Sequence, residues 1–366
     1  MVKRFLFHPV GRILFSLLFV FSSFGIVIGI GWNKTDPAFY SVDEPISQNE
    51  KDVLFFSNAI NSKESISHPF GIAVDRKGVL YTGSSDGNIY KIKSDGSVER
   101  FAKTSGRPLG LAFDGKENLV ACISGVGLAF YDSNGKENIL VREDEQGNAL
   151  ENLYGLDIGS DGTVYFTEVS GKFSYRDSYL EELESQPNGR ILSYNPKSQI
   201  VSVLLEEVYH PTGIALSGAE DYLIYGEKYR HRITRLWLKG EKKGKDRFFI
   251  THLAGSPALI LADKESNFWV ALSSPRHVLI DKIQDKPILK RILASFPAIL
   301  GPSEGELAYA ISLDKNGDVN LALVDRTSDI LGSITAVSEY GSGLLLVGNT
   351  EGKIWKWKFQ TLESFF

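Results

Sequence analysis

Cysteine is almost absent from this 366-residue chain: Cys122 stands alone, so no intramolecular disulfide can form. Cys122 follows Ala121 in an apolar run with no basic motif or histidine beside it, so a buried, inert thiol is expected. The chain also lacks a Pro/Ser-rich linker that would divide it into independent domains. An excess of one charge sign is missing too. Forty basic residues face 45 acidic ones, and the basic residues are scattered, which excludes nucleic acid as a partner. The densest basic cluster, Lys239-Gly240-Glu241-Lys242-Lys243-Gly244-Lys245, reads as a solvated hairpin tip.

Charge is missing altogether from Ile13 to Trp32, twenty residues that at helical rise span about 30 Å of hydrocarbon. Lys3, Arg4 and Arg12 precede the run, so the positive-inside rule places residues 1–12 in the cytoplasm and sends the rest across. A cleaved signal peptide is the alternative. The run exceeds a usual signal-peptide core and no Ala-x-Ala site precedes Asn33, which favours an uncleaved anchor. The expected organisation is a transmembrane anchor at 13–32, a linker at 33–52, a folded domain at 53–360 on the non-cytoplasmic side, and a tail at 361–366.

What the chain does have is a returning phrase. It reads His68-Pro69-Phe70-Gly71-Ile72-Ala73, Arg107-Pro108-Leu109-Gly110-Leu111-Ala112 and His210-Pro211-Thr212-Gly213-Ile214-Ala215, with looser copies at Leu153–Asp157 and Ser256–Ile260. A second apolar stretch follows each copy by about ten residues, and usually a third. Turn pairs such as Asp86-Gly87, Asp95-Gly96, Asp161-Gly162 and Asn316-Gly317 separate these β-branched and aromatic runs. Repetition at a period of roughly forty residues, with several strands per unit, predicts an all-β, six-bladed β-propeller. Ser333–Val337, Leu344–Gly348 and Lys353–Trp357 form the sixth unit, and Val53-Leu54-Phe55-Phe56 is the candidate strand to close the ring. Residues 169–189 and 275–304 stretch the third and fifth units; the second stretch has the apolar spacing of a helical excursion.

Several strings resemble the strictosidine-synthase-like propellers: Val164-Tyr165-Phe166-Thr167-Glu168-Val169-Ser170-Gly171-Lys172-Phe173, Gly189-Arg190-Ile191-Leu192-Ser193-Tyr194-Asn195-Pro196, Arg232-Ile233-Thr234-Arg235-Leu236-Trp237 and Phe268-Trp269-Val270-Ala271-Leu272. The resemblance covers about residues 50–360, is closest to the amino-terminally anchored adipocyte plasma-membrane-associated type, and extends distantly to paraoxonases and gluconolactonases. It implies a propeller whose calcium-dependent members hold the ion with acidic and amide side chains at the inner ends of the blades. At the corresponding positions this chain carries Phe70, Tyr154 and Gly155, Thr212, and Ala258 and Leu259. None is a carboxylate, so no metal and no other cofactor is expected; a two-residue slip would restore Asn152, but one recovered ligand would not rebuild a site. The resemblance also places an acid–base glutamate in the last blade. Here that position is Ala336, and Glu339, three residues on, remains as a weak catalytic candidate with a structural hydrogen bond as its preferred role.

The residue before each glycine is expected to point into the channel. That gives Phe70, Leu109, Tyr154, Thr212 and Ala258 as ligand-binding candidates, a mostly apolar ring that equally suits a plug of side chains. His68 and His210 are expected near the channel mouth as capping groups, and Glu227 with Arg230, His231 and Arg232 as loop ion pairs. Two functions stay open. One is a non-catalytic or degenerate-enzyme propeller that takes a small apolar molecule or a protein partner. The other is a metal-independent hydrolase or lyase acting on a small ester, lactone or carbonyl compound.

Overall fold

Aspartates initiate many of the turns between strands. Asp75 Oδ1 accepts the N–H groups of Lys77 and Val79 at 2.9 and 2.8 Å, and Asp114 Oδ1 accepts those of Lys116 and Asn118 at 2.8 Å each. These side chains satisfy turn amides that the strand ladders leave open. The computed structural model describes residues 9–46, 49–61, 64–174, 177–263, 267–296, 308–327, 331–348 and 352–360. Lys3, Arg4 and the tail at 361–366 lie outside the described residues.

Residues 43–175, 187–276 and 304–366 form one unit. Among the described residues it contains six sheets: in five of them four consecutive strands pair antiparallel, innermost first, and in the last three consecutive strands do so. The inner strands are Phe70–Val74, Arg107–Phe113, Leu153–Ile158, Pro211–Leu216, Gly255–Ala262 and Ile334–Glu339, which define blades 1 to 6. The fold is an all-β six-bladed propeller, as the repeat predicts.

Ring closure differs in detail from expectation. The segment before blade 1 does complete blade 6, but with Asn58–Ala59, which pairs antiparallel with Trp355 and Lys356. Glu50–Asp52 adds a parallel fifth strand to blade 5. Val53–Phe56, the expected closing strand, holds instead a single 3-10 turn at Leu54–Phe56. Its apolar residues serve packing: Val53 and Leu54 are buried with Trp269, Leu344 and Trp357, and the Trp357 indole N–H donates to Val53 O at 3.0 Å.

The repeated glycines have a geometric cause. A Cβ on Gly71 would meet Leu109 O at 2.1 Å, one on Gly110 Tyr154 O at 2.6 Å, one on Gly155 Thr212 O at 2.7 Å, and one on Gly213 Ala258 O at 2.4 Å. Each glycine therefore lets its inner strand lie against the carbonyl of the residue preceding the next blade's glycine position. All six inner strands shift register against the second strand at this point, as in the shift between Pro211 and Ile214. These are β-bulges, which re-aim side chains.

Residues 1–42, 176–186 and 277–303 form a second, helical unit. It holds α1 (Pro9–Trp32), α2 (Ser178–Glu184), α3 (Val278–Ile283) and α4 (Pro287–Ala294). The last three arise in the two stretched repeats: α3 and α4 in the 275–304 stretch, where a helical excursion was expected, and α2 in the 169–189 stretch, where none was. Pro287 occupies the first turn of α4, where its missing N–H costs no hydrogen bond. Lys290 is fully buried and donates to Ala38 O and Gln284 Oε1 at 2.7 Å each. Several α1 side chains lie outside the described residues, and among the described residues no helix is long and apolar enough to cross a membrane.

Replacing Gly213 by Ala should lower the stability of the protein by roughly 1–3 kcal/mol through overpacking against Ala258 O and Ile260 N. Gly115→Ala, where nothing lies within 4 Å of the added methyl, should change stability by less than about 0.5 kcal/mol. Urea unfolding of both variants checks the contrast.

Candidate functional site

The bulges decide which side chains reach the propeller axis. Phe70, Ile72, Leu109, Leu259 and Ala336 form one buried cluster with half-buried Tyr154 packed on it, so blades 1, 2, 3, 5 and 6 meet there. The Phe70 and Tyr154 rings meet edge to face with centroids 5.2 Å apart, and the Arg107 guanidinium lies 5.6 Å from the Phe70 centroid. Three of the five expected ring residues thus converge.

The other two do not join them. Thr212 is fully buried and its hydroxyl donates to Pro257 O at 2.9 Å, which ties blade 4 to blade 5. Ala258 packs sideways with Leu54, Trp269 and Ala310, while its neighbour Leu259 enters the axial cluster. Blade 5 has Leu259 where blades 1 to 4 have glycine, and that side chain joins the axial cluster.

Beyond this layer lies a cavity of about 110 Å³, whose wall includes Ile72, Leu111, Leu156, Leu259 and the carboxylate-bearing Asp157. Burial pushes the Asp157 carboxyl up to about 6, although it accepts the N–H groups of Leu216 and Ile158 at 2.8 Å each. No sequence motif marked Asp157; it is the last polar residue of an otherwise ordinary phrase.

The starts of the inner strands carry the polar groups. In blades 3 and 4 the second strand ends on a glutamate directly opposite an arginine that begins the third strand: Glu168 faces Arg190 and Glu227 faces Arg232. Arg190 donates to Glu168 Oε2 at 2.6 and 2.8 Å and to Asp144 Oδ2 at 2.7 Å. Arg232 donates to Glu227 at 2.5 and 2.9 Å, and the Thr234 hydroxyl adds a bond at 2.7 Å. Burial lowers the proton affinity of Arg232, but Glu227 outweighs it and raises the net value. The Glu227–Arg232 pair was legible from its five-residue spacing. Glu168–Arg190 was not, because the 169–189 stretch separates its members.

Asn152 donates its amide to Ser170 O and Phe173 O at 2.8 and 3.0 Å, so it fixes the loop after the second strand of blade 3. His68 is exposed, with Nδ1 at 3.4 Å from the hydroxyls of Ser67 and Ser85. His210 is buried against Tyr229, with ring centroids 4.5 Å apart, and its Nδ1 has no hydrogen-bond partner. Glu339 lies at the far end of its inner strand, exposed, and accepts the Trp269 indole N–H at 3.0 Å. It is remote in register from Ala336, which occupies the axial cluster with a methyl group. Cys122 is buried, its Sγ 3.6 Å from Gly155 O, and burial raises its pKa.

The calcium donor set does not fit this axis. Phenylalanine, leucine and alanine offer no oxygen, and the Thr212 hydroxyl is committed to Pro257. Among the described residues no three His, Cys, Asp or Glu side chains group in a way that could hold a metal.

The fold is a six-bladed propeller. A solved gluconolactonase from Xanthomonas campestris superposes with a TM-score of 0.60 at 15% identity, covering 88% of this chain and 97% of that one. The calcium-binding protein regucalcin from Agrobacterium tumefaciens gives 0.56 at 14%, covering 87% and 95%. At such identities the likeness concerns the fold alone. Within that architecture the chain belongs to the strictosidine-synthase-like family. Residues 154–241 match strictosidine synthase and residues 64–92 the strictosidine synthase-like N-terminal family. The adipocyte plasma membrane-associated protein of Rattus norvegicus is 29% identical over 71% of this chain and 73% of its own length. The strictosidine synthase-like 6 protein of Arabidopsis thaliana is 28% identical over 71% and 72%.

Burial holds His210 neutral and, with help from Lys228, depresses its pKa well below the ordinary 6.5. The unfolded chain therefore takes up a proton first as pH falls. The resulting stability is complete above pH 6.5 and declines below it, by at most about 1.4 kcal/mol per pH unit. Asp157, with its raised pKa, acts with the opposite sign below pH 6. His210→Asn, a residue that tolerates the observed positive φ, should flatten the acid limb relative to the wild type. Urea unfolding of both between pH 5 and 8 checks this, since the Asp157 contribution cancels in the comparison.

Proposed function

We propose that the protein is a membrane-anchored binding propeller that holds a small, largely apolar molecule over the Phe70–Tyr154 floor without acting as a hydrolase or lyase. The observation that carries this reading is the content of the axis. An aromatic pair, leucines and the Ala336 methyl fill the level at which the family resemblance places its metal ligands and acid–base glutamate. An apolar floor with one phenol and one nearby guanidinium suits an apolar ligand with a few polar anchors. The buried Glu–Arg pairs already satisfy one another, so they support the rim and offer no free base.

The anchor is argued from the charge-free run Ile13–Trp32, which α1 contains whole. The basic residues before the run favour placing the propeller on the non-cytoplasmic side.

Binding of 1-anilinonaphthalene-8-sulfonate, an apolar probe with one anionic group, tests the site. Tyr154→Phe should weaken it by roughly 0.5–1.5 kcal/mol, about one hydrogen bond, while Glu339→Gln leaves it unchanged. An effect of Tyr154→Phe on stability alone would show that the axis is only a plug. Turnover of aryl esters or lactones that Glu339→Gln abolishes would establish the hydrolase reading instead.

Calcium provides a separate check. A ligand at a hundred times its dissociation constant adds about 2.7 kcal/mol to the native state, so saturating calcium should leave the Tm unmoved. A reproducible rise of several degrees would reveal an ion site elsewhere in the chain.

A further inference from the structure

Exposed apolar side chains are unevenly distributed. Of the seventeen large hydrophobic residues exposed among the described residues, thirteen belong to the helical unit and four to the far larger propeller unit. Eight of the thirteen lie on α1, and Phe39 follows it. The remaining four are Val278 and Leu279 on α3 and Ile288 and Leu289 on α4. Val278 and Ile288 are 66% and 67% exposed, while the inner faces of the same helices bury Ile280, Ile283 and Ala294. Aliphatic side chains left in water on two successive helices forgo the gain that burial in an apolar phase would bring.

The internal packing of this unit fixes the level of α4 along α1. Ser295 Oγ, just past α4, lies 3.4 Å from Ile28 O, and the Arg291 guanidinium sits 5.4 Å from the Trp32 ring centroid. Arg291 also donates to Asp36 at 2.7 Å, immediately after α1. Helix α4 is therefore attached where the charge-free run ends. In a helix that crosses a bilayer this is the headgroup level, where tryptophan and tyrosine concentrate, and both Trp32 and Tyr40 are found there in contact with cations. The exposed Lys282 and Lys286 stand beside the apolar residues, and their long stems allow the ammonium groups to reach water while the helix lies in the interface.

We infer that α3 and α4 form a second, monotopic membrane contact: Val278, Leu279, Ile288 and Leu289 insert into the headgroup and upper acyl region of the leaflet from which α1 emerges. The occupant of this surface is lipid. The inference rests on the anchor reading of α1, and it adds that the blade 5 insertion, which supplies both α3 and α4, holds the protein against the bilayer in addition to the single helix.

The test uses the full chain reconstituted in phosphatidylcholine vesicles. The single native thiol, Cys122, is buried and silent toward labelling. An environment-sensitive fluorophore is placed in turn at Ile288→Cys, at Phe21→Cys within α1, and at the exposed propeller residue Ile200→Cys, and each is challenged with lipids carrying a nitroxide at a shallow acyl position. Quenching at position 288 should exceed that at position 200 by about twofold or more, as for an interfacial helix buried several ångströms below the headgroups. Strong quenching at position 21 with equal, weak quenching at 288 and 200 would overturn this inference and leave the anchor intact. Absence of quenching at position 21 would instead remove the anchor, and the inference with it.

Discussion

The structure depends on the close approach of neighbouring inner strands. Gly71, Gly110, Gly155 and Gly213 each bring their strand within about one missing methyl group of the next blade's carbonyl. Side chains cannot be interposed there, so the strands bulge, and the residues on either side must point to the axis or between blades. The radius of the ring, the filling of its centre and the level of its polar groups all follow from this contact. Blade 5, which has Leu259 in place of that glycine, shows what happens without it: the leucine joins the axial cluster.

Metal-dependent propellers need converging oxygens, whereas phenylalanine, leucine and alanine side chains pack together at this centre. The polar groups here have moved outward to the strand starts, where cross-strand Glu–Arg pairs recur in adjacent blades. Buried and mutually hydrogen-bonded, such pairs are worth little as net stabilisation against apolar alternatives, but losing one partner strands a charge. Asp157, whose raised pKa would otherwise attract attention, accepts two backbone N–H groups and joins blade 3 to blade 4.

The helical unit uses sequence that the propeller does not need. Two insertions, each between the second and third strands of a blade, supply α2, α3 and α4, and within the unit the buried Lys290 of α4 donates to Ala38 O and Gln284 Oε1. The same unit concentrates the exposed apolar surface of the chain, which connects its architecture to the proposal of a membrane-bound binding protein.

Much was already determined by the sequence. Its forty-residue repeat, its Asp/Asn-Gly turns and its glycine phrase require a propeller of six blades, because each signal is local and each is repeated. The burial of Cys122 and the Glu227–Arg232 pair were readable for the same reason. Loss of the calcium and acid–base residue types could be seen without coordinates, since no rotamer gives phenylalanine or alanine an oxygen. Tertiary structure alone decided the direction of side chains within the bulges, where period-two alternation breaks down: Thr212 and Ala258 turn aside while Leu259 takes the axis. It alone joined Glu168 to Arg190 across the stretched repeat, and raised the pKa of Asp157 by burial. It also assigned ring closure to Asn58–Ala59, because the more apolar Val53 and Leu54 gain more by filling the space between strands of different blades than by lying in an edge strand.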